Sequence, residues 1–191
     1  TLEWDEHMGV IGRVFDRLNG SCLTIGGTGS NSTYEAIRAS RRAYDIGVRA
    51  ILSVDCYYNG PSSLELRKEY HGPIAEISSE LQIIPYVIPG RTGTQLLPHD
   101  LAILHEEYPN VNAVKEATGN LDNMKLTRRL CGDKFSILSG DDDLTYPMMN
   151  DPEINASGVI SVISNVAPRA VQELTIAVLE HRDDRAKELS E

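Results

Sequence analysis

No run in this chain approaches the ~18 consecutive apolar residues that a membrane-spanning helix requires, and no signal-like segment opens it. Basic residues are in short supply, with 18 Lys and Arg against 28 Asp and Glu and a formal net charge of −10. That deficit argues against nucleic acid or an anionic membrane as partner, since both repel a polyanion. It leaves the local sign of any pocket open. Cysteine is scarce as well. Cys22, Cys56 and Cys131 are widely spaced and odd in number, which excludes a disulfide framework and a zinc site of ordinary spacing. Cytoplasm is the default compartment for such a chain. What remains is 191 residues, 41% of them hydrophobic, a length that suits one domain with a real core.

Short apolar runs alternate with helical patterns along the whole chain. Strands are expected at 21–25, 50–54, 81–86, 111–115, 135–139 and 158–163. Helices are expected from a cap at Asn31, Ser32 or Thr33 to a stop at Gly47, then over 64–79, 98–107, 120–131, 142–149 and 168–179. The charged stretch from His181 either extends the last helix or frays, so the expected organisation is one domain over 1–180 and a tail over 181–191. Six strands alternating with helices mean a parallel sheet with crossover helices. A TIM barrel and a doubly wound sheet both fit, and both place ligands beyond the carboxyl ends of their strands. Tyr58, Tyr86, Arg91, Lys115, Asp141 and Asp142 all fall there.

Lys115 carries the most information. It ends an apolar run in Val-Asn-Ala-Val-Lys-Glu-Ala-Thr-Gly, residues 111–119. A strand-end amine delivered into a pocket loses hydration, which costs energy and lowers its pKa from the usual value of about 10.4. The neutral amine so favoured is the form that attacks a ketone to make a Schiff base. The plain alternative is a lysine that reaches solvent. Gly26-Gly-Thr-Gly-Ser-Asn31 lacks the G-x-G-x-x-G spacing of a dinucleotide loop. Asp141 and Asp142 are adjacent carboxylates that suit a helix N-terminus better than a metal site.

Further segments stand in order around Lys115: Thr-Gly-Ser-Asn-Ser-Thr at 28–33, Cys-Tyr-Tyr-Asn-Gly-Pro at 56–61, Tyr-Val-Ile-Pro-Gly-Arg-Thr at 86–92, Ser-Gly-Asp-Asp at 139–142 and Gly-Val-Ile-Ser-Val at 158–162. With this spacing the chain resembles the dihydrodipicolinate synthase family from Thr1 to about Leu179. The resemblance implies a TIM (β/α)8 barrel of which six βα units are here. It places two earlier units, a Gly-Thr-Thr-Gly-Glu loop and further C-terminal helices outside the chain, which would then be part of a longer protein.

The same resemblance implies a pyruvate-dependent lyase that condenses pyruvate with aspartate semialdehyde, in the biosynthesis of lysine and diaminopimelate, with no cofactor and no metal. It implies that Lys115 forms the Schiff base and that Tyr86 shuttles protons, although Val87 and Ile88 replace the family's usual following residues. It implies that Arg91 binds the substrate carboxylate and that Tyr58 crosses into a neighbouring subunit's site, so that a homodimer or homotetramer is the working form. Gly140 and Ile160 would line the pyruvate end of the pocket. Asn31, Glu35, Tyr57, His7 and Trp4 match positions that contact lysine as an inhibitor; a helix-capping Asn31 and a solvated Glu35 fit the residues equally. Cys56, where the family has proline, reads as a small buried filler or a reactive thiol. N-acetylneuraminate lyases and 2-keto-3-deoxy sugar-acid aldolases share the lysine and the tyrosine, and Arg91 argues against them. A truncated, non-catalytic member is the remaining alternative.

Overall fold

The computed structural model describes residues 2–190. Contacts divide the chain into two compact units, residues 1–112 and 113–191. Every registered strand pair in either unit is parallel.

The first unit opens with helix α1, Trp4–Leu18, which buries Met8 and Ile11. Strand β1, Ile25–Gly27, leads to α2, Thr33–Ile46. Of the three candidate caps, Ser32 takes the role, its hydroxyl accepting from the Glu35 N–H at 3.4 Å. Gly47 ends α2 at φ 116°, and a Cβ there would lie 2.6 Å from the Phe15 ring, so conformation and space both require glycine. Strand β2 is Ala50–Val54 and β3 is Gln82–Val87. Ile25 registers on Ala50, Ala50 on Gln82 and Val54 on Tyr86. Ile51, Ile83, Leu66, Ile74, Leu101 and Leu104 are buried and form much of the core.

The first strand starts later than the sequence suggests. Ser21, Cys22 and Leu23 are exposed, and the strand instead uses Gly26, whose Cα side packs near Ile11, Ala43 and Val48. The expected helix over 64–79 is broken into α3, Ser63–Glu65, a π-helical turn, Leu66–His71, and α4, Gly72–Ala75. Pro73 explains the irregularity. It has no N–H for the Glu69 carbonyl four residues back, and its ring would crowd that oxygen. The widened turn frees the carbonyl, which accepts from the Thr33 hydroxyl at 2.9 Å instead. After β3 come the short α5, Pro89–Thr92, and α6, Pro98–Glu107.

The second unit runs β4, Ala113–Glu116; α7, Leu121–Cys131; β5, Ser136–Ser139; a 3-10 turn, Asp142–Leu144; and α8, Thr145–Asn150. Strand β6, Gly158–Val159, a second 3-10 turn, Ile163–Asn165, and helices α9, Pro168–Leu179, and α10, Asp183–Ser190, complete it. Lys115 registers on Leu138, and Leu138 on Gly158. The strand expected over 158–163 is only two residues long. The N–H groups of Val162 and Ile163 donate to the Asp142 carboxylate, both at 3.0 Å, and so leave the ladder. The stretch after His181 is a helix of its own, tied to α9 by Arg185 and Glu173 at 2.8 Å. No helix among the described residues is long and apolar enough to cross a membrane.

Candidate active site

In the second unit the site is built around Lys115. All four residues of β4 are buried, and Lys115 is 7% exposed although it is one residue from the strand's end. The side chain is thus largely buried and does not extend into solvent in this structure. Burial lowers the ammonium's pKa from 10.5, and the nearby Asp142 carboxylate opposes that shift without cancelling it. Burial alone would raise the Asp142 carboxyl. Bonds from Ser161, Ile163 and Val162, with the Lys115 charge, outweigh it and hold the group below the usual carboxylate range. Asp142 thus has a use that sequence reasoning missed: it fixes the turn after β6 and faces the amine. Asp141 caps the 3-10 turn by accepting from the Asp143 N–H at 3.3 Å.

Gly140 lies against the same lysine. Its N–H donates to the Glu116 carbonyl at 2.8 Å, and a Cβ added to it would sit 2.9 Å from Lys115 Cε. Ile160 follows β6, its N–H donating to the Ser139 carbonyl at 2.9 Å. Lys115 lies in β4, and Gly140 and Ile160 directly follow β5 and β6, three consecutive, mutually registered strands.

In the first unit, Tyr86 lies in β3, half-buried, one residue before the strand's end. Arg91 sits on α5 with its side chain exposed. Thr92 holds that turn, its hydroxyl donating to the carbonyls of Ile88 and Thr94 at 3.1 and 2.8 Å. Tyr58 is 87% exposed at φ 85°, and Tyr57 is also exposed. Cys56 is half-buried, and burial, followed by the charge of Asp55, pushes its thiol pKa up. That is the opposite of what a reactive thiol needs.

Of the five residues expected around an inhibitor, Trp4 and Glu35 share a small cavity of about 40 Å³, with Met8, Arg38, Ala39 and Arg42. His7 lies tilted against Trp4, with ring centroids 5.3 Å and planes 53° apart, and contacts the Gly27 carbonyl through Nε2 at 2.7 Å. Asn31 and Tyr57 are not among the cavity's walls. Glu35 accepts from the Ser30 hydroxyl at 2.8 Å, so the freely solvated reading fails for it. Among the described residues no group of three or more His, Cys, Asp and Glu is placed to hold a metal ion.

Parallel strands joined by helices, with a desolvated lysine near a strand's carboxyl end, define the chain as a parallel β/α protein. The chain belongs to the dihydrodipicolinate synthetase family, whose model matches residues 1–191. It is 44% identical over 189 residues to a 4-hydroxy-tetrahydrodipicolinate synthase of Pelobacter propionicus, covering 99% of this chain and 63% of that protein. The chain therefore spans less than two thirds of such a relative's length. The chloride-inhibited dihydrodipicolinate synthase of Acinetobacter baumannii complexed with pyruvate superposes with a TM-score of 0.92 at 36% identity, over 100% of this chain and 63% of that one. The Cyanidioschyzon merolae enzyme with lysine bound gives a TM-score of 0.93 at 33% identity, over 100% and 63%.

Proposed function

We propose that the protein carrying this chain is a 4-hydroxy-tetrahydrodipicolinate synthase, condensing pyruvate with aspartate semialdehyde in the cytoplasm. The observation that carries this reading is Lys115, buried at the end of β4 with its pKa lowered by desolvation. The neutral amine attacks the pyruvate ketone, water leaves, and the imine loses a methyl proton to give an enamine. The enamine carbon then attacks the aldehyde, whose oxygen takes up a proton, and the regenerated imine is released from Lys115 by water or by the substrate's own amine. Lys115 is itself the electron sink, and the reaction needs no cofactor. Tyr86 moves the protons, and Tyr58 of a second copy extends its path, so the working form is an oligomer. Gly140 and Ile160 line the pyruvate end. Arg91 holds the carboxylate of the semialdehyde in a charge-assisted fork. The whole protein is an eight-stranded (β/α)8 barrel, six of whose units are in this chain. The cavity lined by Trp4 and Glu35 is the place where lysine binds as inhibitor, and His7, Asn31 and Tyr57, which do not line it, are the further residues assigned to that role.

Arg91→Ala tests the substrate assignment in the full-length protein. Loss of a charge-assisted contact of about 2–3 kcal/mol lowers kcat/KM for aspartate semialdehyde roughly 30- to 150-fold, while pyruvate still forms its adduct. Unchanged semialdehyde kinetics, together with turnover of a sugar-acid substrate, would refute it.

A further inference from the structure

A buried ionisable pair in the first unit has no role in the chemistry above. Asp55 and His71 are both fully buried. His71 Nε2 lies 2.9 Å from Asp55 Oδ1. The carboxylate oxygen accepts, so Nε2 carries the hydrogen, and His71 Nδ1 has no hydrogen-bond partner among the described residues. The other carboxylate oxygen, Oδ2, accepts from the Leu96 N–H at 3.0 Å. The Asp55 backbone N–H donates to the Tyr86 carbonyl at 3.1 Å.

One residue therefore joins four segments. It begins the loop that carries Tyr57 and Tyr58. It holds the backbone of Tyr86, and it anchors the chain just beyond the Arg91 turn. Through His71 it is fixed to the π-helical turn, where the Tyr70 ring stands edge-on to the imidazole at 4.9 Å. Thr94 reinforces the connection by donating to the Pro61 carbonyl at the far end of the tyrosine loop. A buried histidine–carboxylate hydrogen bond is weak evidence for stability, because desolvation of the two groups offsets most of their attraction. It does fix geometry. Tyr58 needs such fixing: φ 85° is a left-handed conformation that a tyrosine keeps only where its surroundings hold it.

We propose that Asp55, held by His71, is a positioning residue that sets the Tyr58 loop, Tyr86 and the Arg91 turn relative to one another. This rests on the proposed roles of those three residues. The predicted substrate effect falls on the carboxylate-bearing aldehyde, because Arg91 receives it, and on kcat, because Tyr58 and Tyr86 move protons.

The test compares Asp55→Asn, His71→Leu and His71→Gln in the full-length protein, by hydrogen–deuterium exchange and by steady-state kinetics at a temperature where each variant is folded. Asp55→Asn and His71→Leu should speed amide exchange in both 56–60 and 89–97. They should raise KM for aspartate semialdehyde and lower kcat, with kcat/KM down roughly 10- to 100-fold, as sub-ångström to ångström misplacement allows. His71→Gln keeps an N–H for Asp55 and should retain most of the activity. A pair that only fills space would give the reverse order, with leucine tolerated better than glutamine. Unchanged exchange in both segments overturns the proposal, and so does faster exchange with unchanged kinetics. If the wild-type protein makes no product from the two substrates, the assigned reaction has failed, and the exchange comparison alone decides whether Asp55 ties these segments.

Discussion

Replacing Gly140 with alanine tests how tightly the backbone just after β5 confines the Lys115 side chain. Gly140 does not have a left-handed backbone, so alanine adds contacts and no dihedral strain. Its Cβ would lie 2.9 Å from Lys115 Cε, 2.9 Å from Ala117 Cβ and 3.2 Å from the Glu116 carbonyl oxygen. Ordinary carbon–carbon contacts are about 3.5–4.0 Å, so the shortfall is roughly 0.6–1 Å. The lysine can swing aside, but Ala117 Cβ and the Glu116 carbonyl are fixed to the backbone. The bond from Gly140 N–H to Glu116 must then loosen. Overpacking of this kind costs about 1–3 kcal/mol, which at 2–4 °C per kcal/mol is a fall in Tm of about 2–12 °C. The displaced amine should form its imine up to about 100-fold more slowly. Differential scanning calorimetry gives the first quantity, and the rate of borohydride-trapped pyruvate adduct gives the second. Gly12→Ala is the control, because a Cβ there meets nothing within 4 Å. Wild-type Tm and wild-type trapping in Gly140→Ala would refute the close packing on which the site description depends.

The buried lysine carries a stability cost whose pH dependence has a definite sign. Its folded pKa is lowered, so between that value and the unfolded value near 10.4 the unfolded chain binds more protons, and stability rises with pH. Lys115→Met should therefore raise Tm at about pH 7, with the gain shrinking toward about pH 10. A lower Tm for the variant at neutral pH, or a gap that widens with pH, would contradict the desolvation argument. In α1, Gly9→Ala and Gly12→Ala should each add about 0.5–1 kcal/mol, because both positions are helical and open. Urea unfolding measures this, and destabilisation by either change would show that the space is not open.

Much of the architecture was legible in the sequence, for physical reasons that particular elements show. Helix α6 runs Pro98–Glu107 as its proline start and apolar spacing require, and α9 runs Pro168–Leu179 likewise. Strand β2 matches its apolar run from Ala50 to Val54. The departures came where a distant side chain decides a local outcome. Nothing near Val162 in the sequence says that the Asp142 carboxylate will take its N–H and end β6. Nothing near Glu69 says that a Thr33 hydroxyl will satisfy the carbonyl that Pro73 cannot. The burial of Lys115 was legible because it follows Ala113 and Val114 in an apolar run that forms the buried strand β4. The Asp55–His71 pair was not, since sixteen residues separate partners that meet only after β2 and the π-helical turn pack. Its single local hint was an acid directly after a buried strand.

The central claim is that Lys115 is an imine-forming amine. Incubating the full-length protein with pyruvate and borohydride, digesting it and sequencing the modified peptide by mass spectrometry tests this directly. Imine formation releases water, and reduction adds a hydride from borohydride and a proton from solvent. The account predicts that mass increment on Lys115, and its loss in Lys115→Ala. An adduct on Lys125 or Lys134 with Lys115 unmodified, or none at all, would contradict it.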